Sequence, residues 1–219
     1  MLVGRNKDMT DLIIIGAGGF GREVLSYATD IMKSGMCDWR IKGFIDDNNN
    51  ALRGTDTGYP ILGKISDHEI DLQAVYICAI ADGKTRLAIC REFQRKGAQF
   101  INLIHPTAQI RERVQLGIGN IFCPLSSVNP DVTIGDFIIV NRGSGFGHDC
   151  IIGNGCTLSG GCAINGNCKL GEGVFLGSRA VIVPGRKIGD FAKISAGAVI
   201  FTHVKPDTIM IGNPARVMK

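Results

Sequence analysis

Along the second half of the chain an apolar residue returns at every sixth position. Ile110, Leu116, Phe122, Val128, Ile134, Val140, Phe146, Ile152, Leu158, Ile164, Leu170, Leu176, Ile182, Ile188, Ile194 and Ile200 fall in register without a break. A period of six suits neither an amphipathic helix nor an alternating strand, so it marks a repeat of short structural units. Gly or Asn often follows the apolar residue, as at Gly117, Asn129, Gly135, Asn141, Gly147, Gly153, Asn165, Gly171, Gly177 and Gly189. That placement predicts a tight corner directly after each short strand. Two positions before the apolar residue the side chain is small, as at Ala108, Ser126, Ser144, Cys150, Cys156, Cys162, Cys168, Ala180, Ala192 and Ala198. With three hexads per triangular coil, the repeat predicts about five coils.

The first half has other periods. A short apolar strand, Leu12 to Ile15, runs into Gly16-Ala17-Gly18-Gly19-Phe20-Gly21 and then into Arg22 to Lys33, whose apolar residues have helical spacing. A second strand, Ile41 to Ile45, ends in Asp46-Asp47. A third, Ala74 to Ile80, precedes a helical stretch from Lys84 to Lys96. Alternating strands and helices predict a small parallel α/β domain, a Rossmann-like βαβ unit. The expected division is 1–104 for this domain and 105–219 for the repeat.

Composition agrees with a folded chain: 45% of the 219 residues are apolar and 20% are charged. The formal net charge is +4, with Lys and Arg scattered, which argues against nucleic acid as a partner and against a membrane-binding stripe. No apolar run approaches the roughly 20 residues of a membrane span, and Met1 to Asp11 is too polar for a signal peptide, so the expected location is the cytoplasm. Eight cysteines form no CxxC pair, and cytosolic thiols stay reduced. Cys150, Cys156, Cys162 and Cys168 occupy the small slot of successive hexads and read as core rather than as metal ligands; no metal site is expected.

Hexads of the form aliphatic-Gly-x-x-small-x resemble the hexapeptide-repeat transferases, which are left-handed parallel β-helices assembled as trimers. The whole chain narrows this. The GAGGFG turn, the Ile-Asp-Asp strand end, Ala79-Ile80, LIHPTA at 103–108, GHDCIIG at 147–153 and GNPAR at 212–216 occur in one order. That order resembles the sialic-acid-cluster and bacillosamine-pathway family of sugar N- and O-acetyltransferases, over nearly the full length. The resemblance implies acetyl-CoA as cosubstrate, a nucleotide-linked amino sugar as acceptor, a homotrimer, and a place in the synthesis of surface-glycan precursors such as lipopolysaccharide O-antigen.

Histidine is the side chain best suited to accept a proton near neutral pH, and an attacking amine must lose one to become an amide. Of four histidines, His148 stands two residues past the core position Phe146, at a corner from which it should project outward. Asp149 follows it, where a carboxylate can set the ring's tautomer. In the similar family a His-Glu or His-Asp pair at this hexad is the general base and its helper, so the resemblance assigns those roles to His148 and Asp149. His105 reads as a linking residue, His203 lies near the last coil, and His68, in Ser66-Asp67-His68-Glu69, reads as a surface residue.

The glycine turn fits Gly16-x-Gly18-x-x-Gly21, a weak dinucleotide signature by itself. Its backbone amides and the helix start behind it could hold a pyrophosphate, and an acid at the second strand end could read a ribose. About 95 residues make at most half of a dinucleotide fold. The resemblance implies a nucleotide sugar instead, with Gly19, Phe20 and Gly21 at the phosphates, Asp46 and Asp47 near base or ribose, Asp82 assisting, and Asn141 facing the sugar from a neighbouring chain. It also implies that Thr157, Gly166, Ser178 and Ala196 line an acyl-CoA groove between subunits. Some relatives carry a second histidine where this chain has Thr157, which puts a second imidazole role in doubt.

The expected reaction is acetyl transfer from acetyl-CoA to the 4-amino group of a nucleotide-linked 4-amino-4,6-dideoxy sugar by direct attack. Sugar O-acetylation by the same fold is one alternative, since His148 could also deprotonate a hydroxyl. A β-helix carbonic anhydrase fails for want of three histidines in the repeat. A non-catalytic nucleotide-binding scaffold is the last alternative, and the His148-Asp149 pair argues against it.

Overall fold

The computed structural model describes residues 9–218; of the polar N-terminal stretch, positions 1–8 lie outside the described residues. The N-terminal sheet holds β1 (Thr10–Ile15), β2 (Trp39–Ile45), β3 (Ala74–Cys78) and β4 (Gln99–Phe100), all parallel in the order β2-β1-β3-β4. Its helices are α1 (Gly19–Ser34) and α2 (Gly83–Arg95). α1 buries Val24, Leu25, Ala28 and Ile31, one face of a helix, and stops at Gly35, which takes a left-handed φ of 70°. β3 ends at Cys78 rather than Ile80 because the carbonyls of Ile80 and Ala81 leave the sheet to accept from a buried arginine described below.

From Leu103–Ile104 onward the chain is a parallel β-helix of two-residue strands, each pairing with the strand 18 residues later. The first face carries the strands at Leu103–Ile104, Ile121–Phe122, Ile139–Val140, Thr157–Leu158, Phe175–Leu176 and Lys193–Ile194. The second begins at Gln109–Ile110 and the third at Gln115–Leu116. The second residue of each strand points inward, so every apolar position of the hexad fills the prism. The helix has nearly six coils rather than the five expected. Ile104 already stands in register, and after Ile200 the chain adds Ile209–Ile211, closed by an antiparallel pairing with Arg216–Val217.

The corners are built differently from the expectation. Positive φ falls three residues after the apolar position, at Arg113, Leu125, Asp131, Phe137, Asp149, Asn167, Arg179 and Phe191 as well as at glycines. Glycine directly after the apolar residue serves close stacking instead. A Cβ on Gly147 would lie 2.5 Å from the Gly166 nitrogen, and one on Gly177 would lie 2.5 Å from the Ala196 nitrogen. The cysteine slot has a polar duty too: the buried thiols of Cys150, Cys156, Cys162 and Cys168 donate to the carbonyls of Asn165, Gly171, Gly177 and Val183 on the next coil, at 3.1 to 3.3 Å. The Gly177 carbonyl also accepts from Ala180 N, whereas those of Asn165, Gly171 and Val183 are corner carbonyls that the strand ladder leaves open.

The N-terminal domain sits on the first face. Outward residues Leu103, Ile121 and Ile139 join its core beside Leu12, Ile14 and α1, while Phe137, at a corner, packs with Leu87 and Phe100 on the α2 side.

Candidate active site

His148 lies at the vertex between the second and third faces, on an exposed corner. Its Nδ1 is 2.6 Å from Asp149 Oδ2. A carboxylate can only accept, so the neutral ring carries its proton on Nδ1 and keeps an electron pair on Nε2. Asp149 holds this position because its backbone takes the left-handed corner conformation, φ 58°. Beneath the ring, one coil on, lies Gly166: a Cβ there would be 2.6 Å from His148 Nε2 and 2.8 Å from Cε1. Absence of a side chain at Gly166 therefore makes room for the imidazole. The structure thus brings together His148, Asp149 and Gly166.

The second cluster is the glycine turn. Gly16 takes φ 97°, and a Cβ on Gly21 would collide with the Gly16 carbonyl, so strand and helix can approach this closely only through glycine. Gly18 caps α1 with no side-chain acceptor and no acid stands in the first turn, leaving an amide-rich terminus suited to an anion. Gly19 is exposed, Phe20 half-buried and Gly21 buried. Asp46 ties the turn to β2, accepting from Ala17 N at 2.7 Å and Asn48 N at 2.8 Å, while Asp47 accepts from Ser66 N at 3.1 Å.

Asp82 has a structural duty. Its carboxylate caps α2, accepting from Thr85 N at 2.8 Å and Thr85 Oγ1 at 2.7 Å, and the Thr85 hydroxyl foremost, then the amide, hold its pKa below the usual carboxylate value. It lines a cavity of about 650 Å³ with Lys84, Phe175 and Lys193, at the joint of α2 and the first face. Thr157 departs from the expectation. It is buried, its hydroxyl donating to Ala81 O at 3.0 Å and accepting from Arg86 at 2.8 Å, so it seals the domain junction rather than lining an open groove. Arg86 was not legible as a candidate by motif; its signal was an arginine on the apolar stripe Arg86, Leu87, Cys90, Phe93.

Asn141, Ser178 and Ala196 lie on the other vertex of the second face, with Ser178 and Ala196 exposed. Within one chain the catalytic candidates and the glycine turn are not brought together: the N-terminal domain covers the first face, and His148 stands at the opposite vertex. Of the remaining histidines, His105 is buried at the junction, between Thr107 Oγ1 at 2.8 Å and Asp30 Oδ2 at 3.4 Å. His203 Nδ1 accepts from Lys187 N at 3.0 Å. His68 is half-buried. It stacks on Phe93 and meets the Tyr76 hydroxyl at 3.0 Å, and burial lowers its pKa.

Residues 11–93 match the family described as the PglD N-terminal domain, and residues 167–202 match the bacterial transferase hexapeptide family (six repeats). GDP-perosamine N-acetyltransferase of Escherichia coli O157:H7 is 31% identical over 217 residues, covering 94% of this chain and 95% of that one. The chain belongs to the hexapeptide-repeat nucleotide-sugar N-acetyltransferases. Among solved structures of this family, the acetyltransferase domain of PglB from Neisseria gonorrhoeae FA1090, in complex with acetyl coenzyme A, superposes with a TM-score of 0.87 at 26% identity. That match covers 96% of this chain and 100% of the other. PerB from Caulobacter crescentus, in complex with CoA and GDP-perosamine, gives 0.82 at 28% identity, covering 95% and 97%. As a family member the chain is an acetyltransferase. No helix among the described residues is long and apolar enough to cross a membrane.

Proposed function

We propose that this chain transfers an acetyl group from acetyl-CoA to the 4-amino group of a nucleotide-linked 4-amino-4,6-dideoxy sugar, with His148 as general base and Asp149 as its orienting partner. The observation that carries this reading is the 2.6 Å contact of His148 Nδ1 with Asp149, which leaves Nε2 free at an exposed vertex. The amine nitrogen attacks the thioester carbonyl carbon as His148 Nε2 takes its proton; the carbon–sulfur bond breaks, and the departing thiolate takes that proton from His148, which restores the base. A thioester is already activated, so the chain needs no nucleophile of its own, and positioning with proton removal suffices.

Gly19, Phe20 and Gly21 hold the diphosphate, Asp46 and Asp47 stand near the base or ribose, and Asn141 faces the sugar. Gly166, Ser178 and Ala196 border the coenzyme. Because these groups lie on different sides of one prism, the complete site is shared between copies in a homotrimer, where one chain's vertex meets its neighbour's. The enzyme works in the cytoplasm on surface-glycan precursors, lipopolysaccharide O-antigen among them. The relatives' complexes with CoA and with GDP-perosamine support the choice of substrates. The test is a panel of GDP-, UDP- and dTDP-linked 4-amino sugars with acetyl-CoA, following thiol release and amide formation by mass spectrometry. Acetylation of one of them is expected; thiol release with none acetylated would refute the reading.

A further inference from the structure

Arg86 is fully buried, and no carboxylate meets its guanidinium among the described residues. Its donors are nevertheless all used. Nε donates to Phe137 O at 2.8 Å. One terminal nitrogen donates to Ile80 O at 2.6 Å and Ala81 O at 3.0 Å; the other reaches Gly155 O at 2.8 Å, Cys156 O at 3.1 Å and Thr157 Oγ1 at 2.8 Å. A buried charge held only by neutral carbonyl and hydroxyl dipoles is costly, and an apolar side chain would fill such a junction with less desolvation. What the guanidinium adds is direction.

Its six acceptors belong to two bodies. Ile80 and Ala81 form the crossover at the carboxyl end of β3, the edge of an open α/β sheet where ligands bind. Phe137 and Gly155 occupy equivalent corners of successive coils, both with positive φ, and Thr157 opens the next strand. One planar fork therefore sets the ligand edge of the sheet against two coils at once. Thr157 completes it by donating to Ala81 O, and α2 is further tied to the β-helix by the Arg91–Glu172 ion pair.

We infer that Arg86, through Thr157 and the Ile80–Ala81 crossover, is a positioning residue that fixes where the N-terminal domain presents the nucleotide-linked amine. This rests on the reading under Proposed function, since it needs an acceptor carried by that domain. Displacing reacting groups by about 1 Å can cost on the order of a hundredfold in rate, so a lock at this joint acts on turnover of the tethered acceptor.

The test uses the full-length enzyme with Arg86→Lys, which keeps the charge but loses the fork, and Thr157→Val, which removes one acceptor and one donor at similar volume. The acceptor is the best nucleotide-linked sugar of the panel; the control acceptor is the same 4-amino sugar as its methyl glycoside, with no nucleotide for the domain to hold. For both variants kcat/KM for the nucleotide sugar should fall about tenfold or more, while KM for acetyl-CoA and the slow rate on the methyl glycoside stay within twofold of wild type. If Arg86→Lys does not fold, Thr157→Val alone decides. A rise in KM for acetyl-CoA with Thr157→Val, or equal losses on both acceptors, overturns the inference in favour of a coenzyme contact or plain stability. Failure of the proposed function is distinguishable, because it would appear in the wild-type enzyme as no acetylation of any nucleotide sugar.

Discussion

Gly166→Ala displaces His148 while leaving its imidazole chemically intact. The glycine has an ordinary φ, so alanine introduces no backbone strain there; the consequence is steric. Its methyl group would lie 2.6 Å from Nε2, 2.8 Å from Cε1 and 3.1 Å from Cδ2 of His148. Ordinary contact needs about 3.5 Å, so the ring must retreat by roughly 0.9 Å or leave its place above the coil. The imidazole is exposed and free to swing, so stability should change little. A shift of about 1 Å in a proton acceptor costs on the order of a hundredfold, equivalent to about 2.7 kcal/mol in the barrier. The assay is steady-state kcat with both substrates saturating, alongside a thermal melt. We expect kcat to fall about a hundredfold with Tm within a few degrees of wild type. Retention of more than half the wild-type kcat would show that the ring's position over Gly166 is not the reacting one. For the same reason Gly166 substitutions cannot serve as lesions of the coenzyme groove alone.

His148→Asn should lower kcat by at least about a hundredfold, the usual worth of a positioned base, and leave the oligomer intact; a variant with more than half of wild-type turnover would refute the base assignment. Gly19→Glu puts an anion at a position where a Cβ meets nothing within 4 Å, so the fold should tolerate it while KM for the nucleotide sugar rises. Sedimentation should find a trimer of about three 23.4 kDa chains, and mixing Gly19→Glu with His148→Asn subunits should restore activity if one chain's turn serves its neighbour's histidine. A fully active monomer would rule out the shared site. Asp82→Ala removes the α2 cap and should cost about 1 kcal/mol at neutral pH. Because the folded pKa of Asp82 is lowered, its stabilising contribution is complete above the unfolded value near 3.9 and is lost as pH falls through the folded one, so wild type and variant should converge in acid melts.

Much of the protein was legible in its residues. A hexad register unbroken from Ile110 to Ile200 can bury its apolar positions only by coiling three short strands per turn, so periodicity alone determined the prism. Strand, glycine turn and helix in that order likewise determined a parallel α/β unit, and two adjacent residues, His148 and Asp149, meet because they are neighbours in sequence. Tertiary structure decided what depends on separations that no local pattern encodes. Gly166 lies under His148 because 18 residues make one coil, which makes an expected coenzyme contact the floor of the imidazole as well. Thr157 is sealed by Arg86, 71 residues away, and Asp82 is committed to a helix cap. The docking of the N-terminal domain on one face of the prism followed from which outward positions, Leu103, Ile121 and Ile139, were apolar, and that choice leaves His148 at the vertex the domain does not reach. Composition and spacing report what each segment can bury; only the assembled packing determines which partner it is buried against.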